Sequence, residues 1–241
     1  MKEGGSHGSV RALVLGVTPE YARLDWPAGT DLLAVDRSEV MLRAVWPGFP
    51  APGQGALHAD WVEAELPPGS RDLVLGDGCF TLLPFPEGHR ALLRKVSGML
   101  SPDGRFALRA FVPPAVPETP AAVYEAALAE QIRGFHAFKL RLLLAHQRDP
   151  RQGVPVQRVW RSWVDGGPGP EALEALGWPR AQIDTFASYA RSTAVHTFPD
   201  LDAIRALAAA EGFREVDCTT GTYELAACCP TMVLAPRGGA R

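Results

Sequence analysis

The chain alternates short apolar runs with segments whose apolar residues recur at helical spacing. Residues 12–15 form an apolar run that stops at Gly16, as a buried parallel strand does. Thr18-Pro19-Glu20 then supplies a helix cap, a proline for the first helical position and an acid for the first turn. A second run, 32–35, ends in Asp36, and Ser38 with Glu39 predicts a helix over 38–45. The proline- and glycine-rich stretch 46–53 predicts a loop, and 56–59 a short third strand that ends at Asp60-Trp61. The run 72–75 leads into Gly76-Asp77-Gly78, and residues 87–100 carry apolar side chains at helical spacing. Ser101-Pro102-Asp103-Gly104 marks a turn, and 105–112 reads as a fifth strand.

This regular β-α alternation implies a doubly wound parallel sheet with right-handed crossovers. The pattern changes at Pro113-Pro114. One long helical segment is predicted from 119 to about 148, apolar at Val123, Ile132, Phe135, Phe138 and Leu142, with Gly134 as its weak point. Loop signals at Asp149-Pro150 and 166–170, a stretch carrying Trp160 and Trp163, and short helical pieces at 171–176 and 180–188 follow. We read 113–198 as a mostly helical insertion within a single domain, a cap over the strand ends that could exclude water and shape a pocket. Helices that only lengthen the core, or a homodimer face, are the alternatives. A helix over 199–211 and strands over 213–219 and 231–235 complete the pattern. The residues between those strands are too few for a crossover helix, so they predict an antiparallel hairpin closing a seven-stranded, mostly parallel α/β sheet.

Charge and cysteines narrow the classes of partner. A net charge of −3 over 241 residues, with no appended basic module, gives nucleic acid no electrostatic footing. The first ten residues read as a flexible polar lead, and no apolar run approaches the length that crosses a bilayer, so the cytoplasm is the default expectation. Cys79, Cys218, Cys228 and Cys229 have neither zinc-ligand spacing nor a disulfide framework, and no metal is expected.

The candidate chemistry lies where the strands end. Gly16, Asp36, Asp60 and Asp77 each follow an apolar run, and in an open α/β sheet the carboxyl ends of the strands face the ligand crevice. Asp36 stands twenty positions after Gly16, as an acid that accepts ribose hydroxyls would, or it merely caps the helix that begins near Ser38. The G-x-G-x-x-G fingerprint is absent, which disfavours a pyrophosphate and with it a nicotinamide-dependent oxidoreductase. An adenosyl ligand without phosphates demands less of the turn.

Five βα units followed by a helix and a final antiparallel hairpin resemble class I S-adenosylmethionine-dependent methyltransferases along nearly the whole chain, with 113–198 unmatched. LVLGVTPEYA is similar to an atypical first motif, LLAVDRSEVML to the second, LHADW to the third and DLVLGDGCFTLL to the fourth. The resemblance implies S-adenosylmethionine as cofactor, approached by the backbone of Gly16, Val17 and Thr18. It places the ribose on Asp36 with Arg37 beside the adenine, Asp60 and Trp61 against the adenine, and Asp77 near the methionine end. The first motif departs from the family at Val14, where an acid is usual, and at Thr18 and Glu20, where glycines are usual. The expected function is methyl transfer to a small-molecule acceptor. A non-catalytic cofactor-binding or degenerate member acting as an interaction module is the alternative. His136 and His146, on the predicted cap helix, are candidate bases or solvent-facing side chains. Arg109, near the end of the fifth strand, could meet an anionic acceptor or pair with a carboxylate. Phe80 and Phe135 are candidate pocket walls or core.

Overall fold

The computed structural model describes residues 9–46 and 54–238. The first eight residues of the expected ten-residue lead and all but the first residue of the expected loop at 46–53 lie outside the described residues. Five strands come first: β1 (Arg11–Leu15), β2 (Asp31–Asp36), β3 (Gln54–His58), β4 (Arg71–Asp77) and β5 (Leu100–Arg109). A two-stranded antiparallel ribbon follows, β6 (Val154–Pro155) with β7 (Val195–His196). The hairpin of β8 (Phe213–Thr219) and β9 (Thr231–Pro236) then completes the main sheet in the order β3-β2-β1-β4-β5-β9-β8. β1 to β5 are mutually parallel, and β9 runs against both β5 and β8.

Alternation within the strands sorts side chains onto two faces. Leu13 and Leu15 of β1 pack with Val35 and Val74 on one face, and Ala12 and Val14 pack with Leu32 and Ala34 on the other. Between the strands run α1 (Pro19–Ala22), α2 (Glu39–Val45) and α3 (Glu87–Met99). The Ser38 hydroxyl caps α2 by accepting the Met41 N–H at 3.3 Å. The first crossover has a short helix: α1 is a single turn, and the Thr18 side chain makes no capping bond. Away from the strand ends that could hold a ligand, ion pairs tie the opposite edge. Arg11 grips Asp72 through two nitrogens at 2.9 and 2.6 Å, and Arg71 reaches Asp31 at 2.9 Å.

Three sequence expectations need correction. The single helix expected from 119 to about 148 is two, α4 (Pro120–Leu128) and α5 (Phe135–His146). The chain turns between them at Glu130, held at a left-handed φ of 56°. The Trp160 and Trp163 stretch is a full helix, α6 (Val156–Gly166). The turn signal at 101–104 interrupts β5 rather than preceding it: Leu100 pairs with Arg71 and Arg105 with Leu73, so the intervening residues bulge. The insertion continues through α7 (Pro170–Ala175) and α8 (Arg180–Asp184), and α9 (Leu201–Ala210) then joins α3 over the sheet.

The insertion has a core of its own, dominated by aromatic rings. Phe135, Phe138, Trp163, Trp178 and Phe186 are buried together, with Phe186 packed 4.9 Å from Trp163 and 5.8 Å from Phe135 between ring centroids. Of the four cysteines, all unpaired, Cys228 and Cys229 belong to this core and Cys79 to the sheet core. Among the described residues no helix is long and apolar enough to cross a membrane. Because Phe186 is fully buried at the centre of the aromatic group, Phe186→Ala leaves a cavity and is expected to destabilise the chain by about 3–5 kcal/mol. Urea unfolding checks this; a loss under about 1 kcal/mol would show that the insertion collapses around the void.

Candidate active site

Gly16, at the end of β1, adopts φ +98°, a conformation that favours glycine, and its N–H donates to the Val35 carbonyl at 2.8 Å. The same carbonyl accepts the indole N–H of Trp61 at 2.8 Å. The Trp61 ring therefore lies across the turn, 3.7 Å from where a Cβ on Gly16 would stand, and Asp36 Oδ2 lies 3.9 Å from that point. Asp36 Oδ1 accepts the Ser38 N–H at 2.7 Å, so one oxygen shapes the approach to α2 while the other faces the Gly16 turn. Asp60 Oδ1 accepts the Val62 N–H at 3.0 Å. Asp36, Arg37, Asp60, Trp61, Leu82 and Leu83 enclose a cleft of about 60 Å³.

The next two strand ends are locked to one another. Asp77 and Arg109 are register partners across β4 and β5, and the guanidinium meets both carboxylate oxygens at 2.6 and 2.7 Å. Burial opposes the charge of Arg109, but the Asp77 hydrogen bonds outweigh it and its pKa is raised. Burial and then the Asp77 charge push the Tyr21 phenol up to about 12, so it stays neutral. Gly78 follows with φ +63°, and a Cβ there would meet the Phe111 ring at 2.9 Å, which requires glycine at this position.

Above this floor lies a chamber of about 640 Å³ between the strand ends and the insertion. The β4–β5 side contributes Asp77, Leu82, Arg109 and Phe111; the insertion contributes His136, Lys139, Leu140, Leu143, Tyr189 and His196. The segment before α9 closes it. The Thr197 N–H donates to the Thr81 carbonyl at 3.0 Å, and its hydroxyl donates to the Leu83 carbonyl at 2.9 Å, which fixes His196 over the end of β4.

No protein-family profile matches the chain, and no curated protein matches it in sequence. Solved structures do. A mitomycin 7-O-methyltransferase superposes with TM-score 0.54 at 12% identity, covering 95% of this chain and 49% of that one. The Burkholderia thailandensis 1,6-didemethyltoxoflavin-N1-methyltransferase, with 1,6-didemethyltoxoflavin and S-adenosylhomocysteine bound, superposes with TM-score 0.50 at 14% identity, covering 95% and 71%. A Rhodobacter sphaeroides protein described as a putative Zn-dependent alcohol dehydrogenase gives 0.59 at 15% identity, covering 95% and 84%. What the three share with this chain is the fold, and the reversed β9 between β5 and β8 is what the sequence resemblance to methyltransferases required. The chain has the class I methyltransferase fold.

On that fold the residues singled out by sequence divide. Gly16, Asp36, Asp60 and Trp61 gather at the cleft with Arg37, and Val17 and Thr18 continue the Gly16 turn. Asp77 and Arg109 come together as a pair, in the chamber floor. His136 lines the chamber; His146 does not, since its Nδ1 faces the Leu142 carbonyl one turn back at 2.8 Å. Phe80 and Phe135 are core: Phe80 stacks on His89 at 4.4 Å, and Phe135 is fully buried among the rings of the insertion. Trp163 is buried with its indole N–H on the Pro168 carbonyl at 2.8 Å, and Trp160 is half-buried. Lys139, Tyr189 and His196 were missed. Lys139 resembles any charge on a helix, and His196 lies in a two-residue strand that has no periodicity to read. Among the described residues no group of three or more His, Cys, Asp or Glu is placed to hold a metal.

Two histidines make stability depend on pH. Burial holds His89 down to about 4, and burial and then the Lys139 charge do the same to His196. Below their ordinary value of 6.5 the unfolded chain takes up protons that the folded chain refuses. Stability is therefore full above pH 6.5, falls as pH drops toward 4, and loses on the order of 3 kcal/mol from His89 alone. Urea midpoints measured across that window should decline, and His89→Gln should flatten the slope; a midpoint constant from pH 6.5 to 4 would contradict the burial of both rings.

Proposed function

We propose that this chain catalyses S-adenosylmethionine-dependent methyl transfer to a small-molecule acceptor held in the chamber. The observation that carries this reading is a shared border: Leu82 lines both the cleft at Gly16 and the 640 Å³ chamber, so a ligand in one abuts a ligand in the other. Solved proteins of this fold with S-adenosylhomocysteine bound support the choice of cofactor.

The donor set of the cleft fits an adenosyl group. Asp36 Oδ2 would take the ribose hydroxyls, the backbone of Gly16, Val17 and Thr18 would lie alongside, and Asp60 and Trp61, with Arg37 at the edge, would border the adenine. The space fits only if Trp61 moves, because a cleft of about 60 Å³ holds roughly two waters. Bound S-adenosylmethionine supplies a methyl group that is already activated, so the protein's work is to align the acceptor and exclude water. An acceptor hydroxyl or ammonium also needs a base. His136 lines the chamber, and burial and then the Lys139 charge lower its pKa, which leaves it neutral at pH 7 and able to accept a proton.

A second reading, a non-catalytic module on the same fold, is favoured by one observation: the Trp61 ring already covers the Gly16 turn. Calorimetric titration with S-adenosylmethionine and S-adenosylhomocysteine tests the cofactor site, and mass-spectrometric screening of methyl acceptors then separates the enzyme from a module that only binds. We expect micromolar binding that weakens about ten-fold or more in Asp36→Ala, as loss of a charged hydrogen bond implies. Failure of the folded protein to bind either compound would leave the second reading standing.

The Trp61 latch gives its own expectation. Trp61→Phe keeps a ring but loses the bond to the Val35 carbonyl, which is worth about 1 kcal/mol. The variant should therefore bind S-adenosylhomocysteine several-fold more tightly, and weaker binding would show that the indole serves the ligand rather than the closed cleft.

A further inference from the structure

The chamber holds two basic side chains in different situations. Arg109 is neutralised by Asp77 through two short hydrogen bonds. Lys139 is not: among the described residues no carboxylate lies within salt-bridge distance of its ammonium. Instead the ammonium sits 5.9 Å from the centre of the Phe135 ring and 5.8 Å from that of Tyr189. The chamber's other carboxylate, Glu224, is engaged elsewhere, with both oxygens accepting the Arg133 N–H at 3.2 and 3.0 Å. The nearby wall groups His136 and His196 are uncharged, and His196 Nδ1 is buried without a partner among the described residues.

A cation held in an apolar wall is costly unless an anion compensates it. Aromatic faces offset only part of that cost. The remaining walls, which include Phe111, Leu140, Leu143 and Leu225, are apolar and offer a ring-sized volume.

We propose that the acceptor is an apolar, ring-bearing acid bound as its anion, a carboxylate or an ionised phenol, with its negative oxygen on Lys139 and its ring in the apolar part of the chamber. This takes the chamber as the acceptor site of the proposed methyl transfer. It assigns Lys139 the task of selecting the anion, with the buried Nδ1 of His196 available to a second polar group of the same ligand.

The test uses the full chain at neutral pH without S-adenosylmethionine, so that a failure of cofactor binding does not affect it. Calorimetry compares 2-naphthoate with its neutral counterpart 2-naphthamide. The carboxylate should bind about ten-fold more tightly. Lys139→Met should abolish that preference and Lys139→Arg should retain it. Titration with 4-nitrophenol, followed by the visible absorbance of its phenolate, should show ionisation on binding to the wild type and none with Lys139→Met. Ionisation extends the class to phenols, and naphthoate binding without it assigns the site to carboxylates. Equal affinity for naphthoate and naphthamide, no binding of any of these probes, or a preference unchanged in Lys139→Met would overturn the proposal. If the cofactor binds while these probes show no preference for the anion, methyl transfer stands and the anionic acceptor falls.

Discussion

The ion pair between Asp77 and Arg109 is the constraint on which the ligand-facing end of this protein depends. The two residues are register partners on β4 and β5, and the guanidinium spans both carboxylate oxygens. Neither charge is fully solvated, so removing one partner would strand the other in a partly apolar setting. The Gly78 N–H donates to the Arg109 carbonyl at 2.9 Å, which sets the left-handed turn on which Phe111 packs. The Arg109 guanidinium also lies 5.8 Å from the centre of that ring. With these charges spent on each other, the floor of the chamber is close to neutral, and the charge left to recognise a ligand is Lys139 on the opposite wall.

The sheet was legible because its strands obey one rule. Leu13 and Val14 are both apolar because both faces of β1 are covered, and a run of that kind can only be a buried strand or a buried helix. Length, and the Gly16 that follows, decide for the strand. The break between α4 and α5 was signalled only by the weak point at Gly134, the residue that precedes α5, because Val123 and Ala127 before it and Phe135, Phe138 and Leu142 after it bury into one aromatic core. Apolar periodicity therefore runs on through the change of direction that the backbone makes at Glu130. The site divided along the same line. Residues at strand ends, such as Asp36 and Asp60, are placed by the fold's topology and could be named. Lys139 and His196 are placed by the packing of the insertion, which no spacing rule reports.

The insertion is fastened to the sheet at both of its ends. Where it leaves β5, the Val112 N–H donates to the Cys228 carbonyl at 2.9 Å. Where it returns, the ribbon of β6 and β7 pairs Val154 with His196, and the next residue, Thr197, bonds to Thr81 and Leu83 beyond β4. Gln147 adds a reciprocal pair, donating to the Phe198 carbonyl at 2.6 Å and accepting its N–H at 2.7 Å. The walls of the chamber are thus joined by backbone hydrogen bonds rather than by side-chain contact alone. A ligand held between Lys139 and the floor would meet a frame that is already ordered, which lowers the entropy cost of binding it.

Magnitudes decide how much weight the closed cleft can bear. The bond from Trp61 to the Val35 carbonyl is a neutral one, worth about 0.5–1.5 kcal/mol net, and the half-buried ring adds a comparable amount through contact. Displacing it would cost a cofactor on the order of 2 kcal/mol, a factor of about thirty in affinity, against the roughly 8 kcal/mol of micromolar binding. The latch therefore weakens an adenosyl ligand without being able to exclude it. Elsewhere in the first unit α1 is one turn long, and Tyr21 sits beside an Asp77 already committed to Arg109. With Asp77 spent on Arg109, Asp36 is, on the proposed cofactor reading, the residue whose loss would weaken binding most.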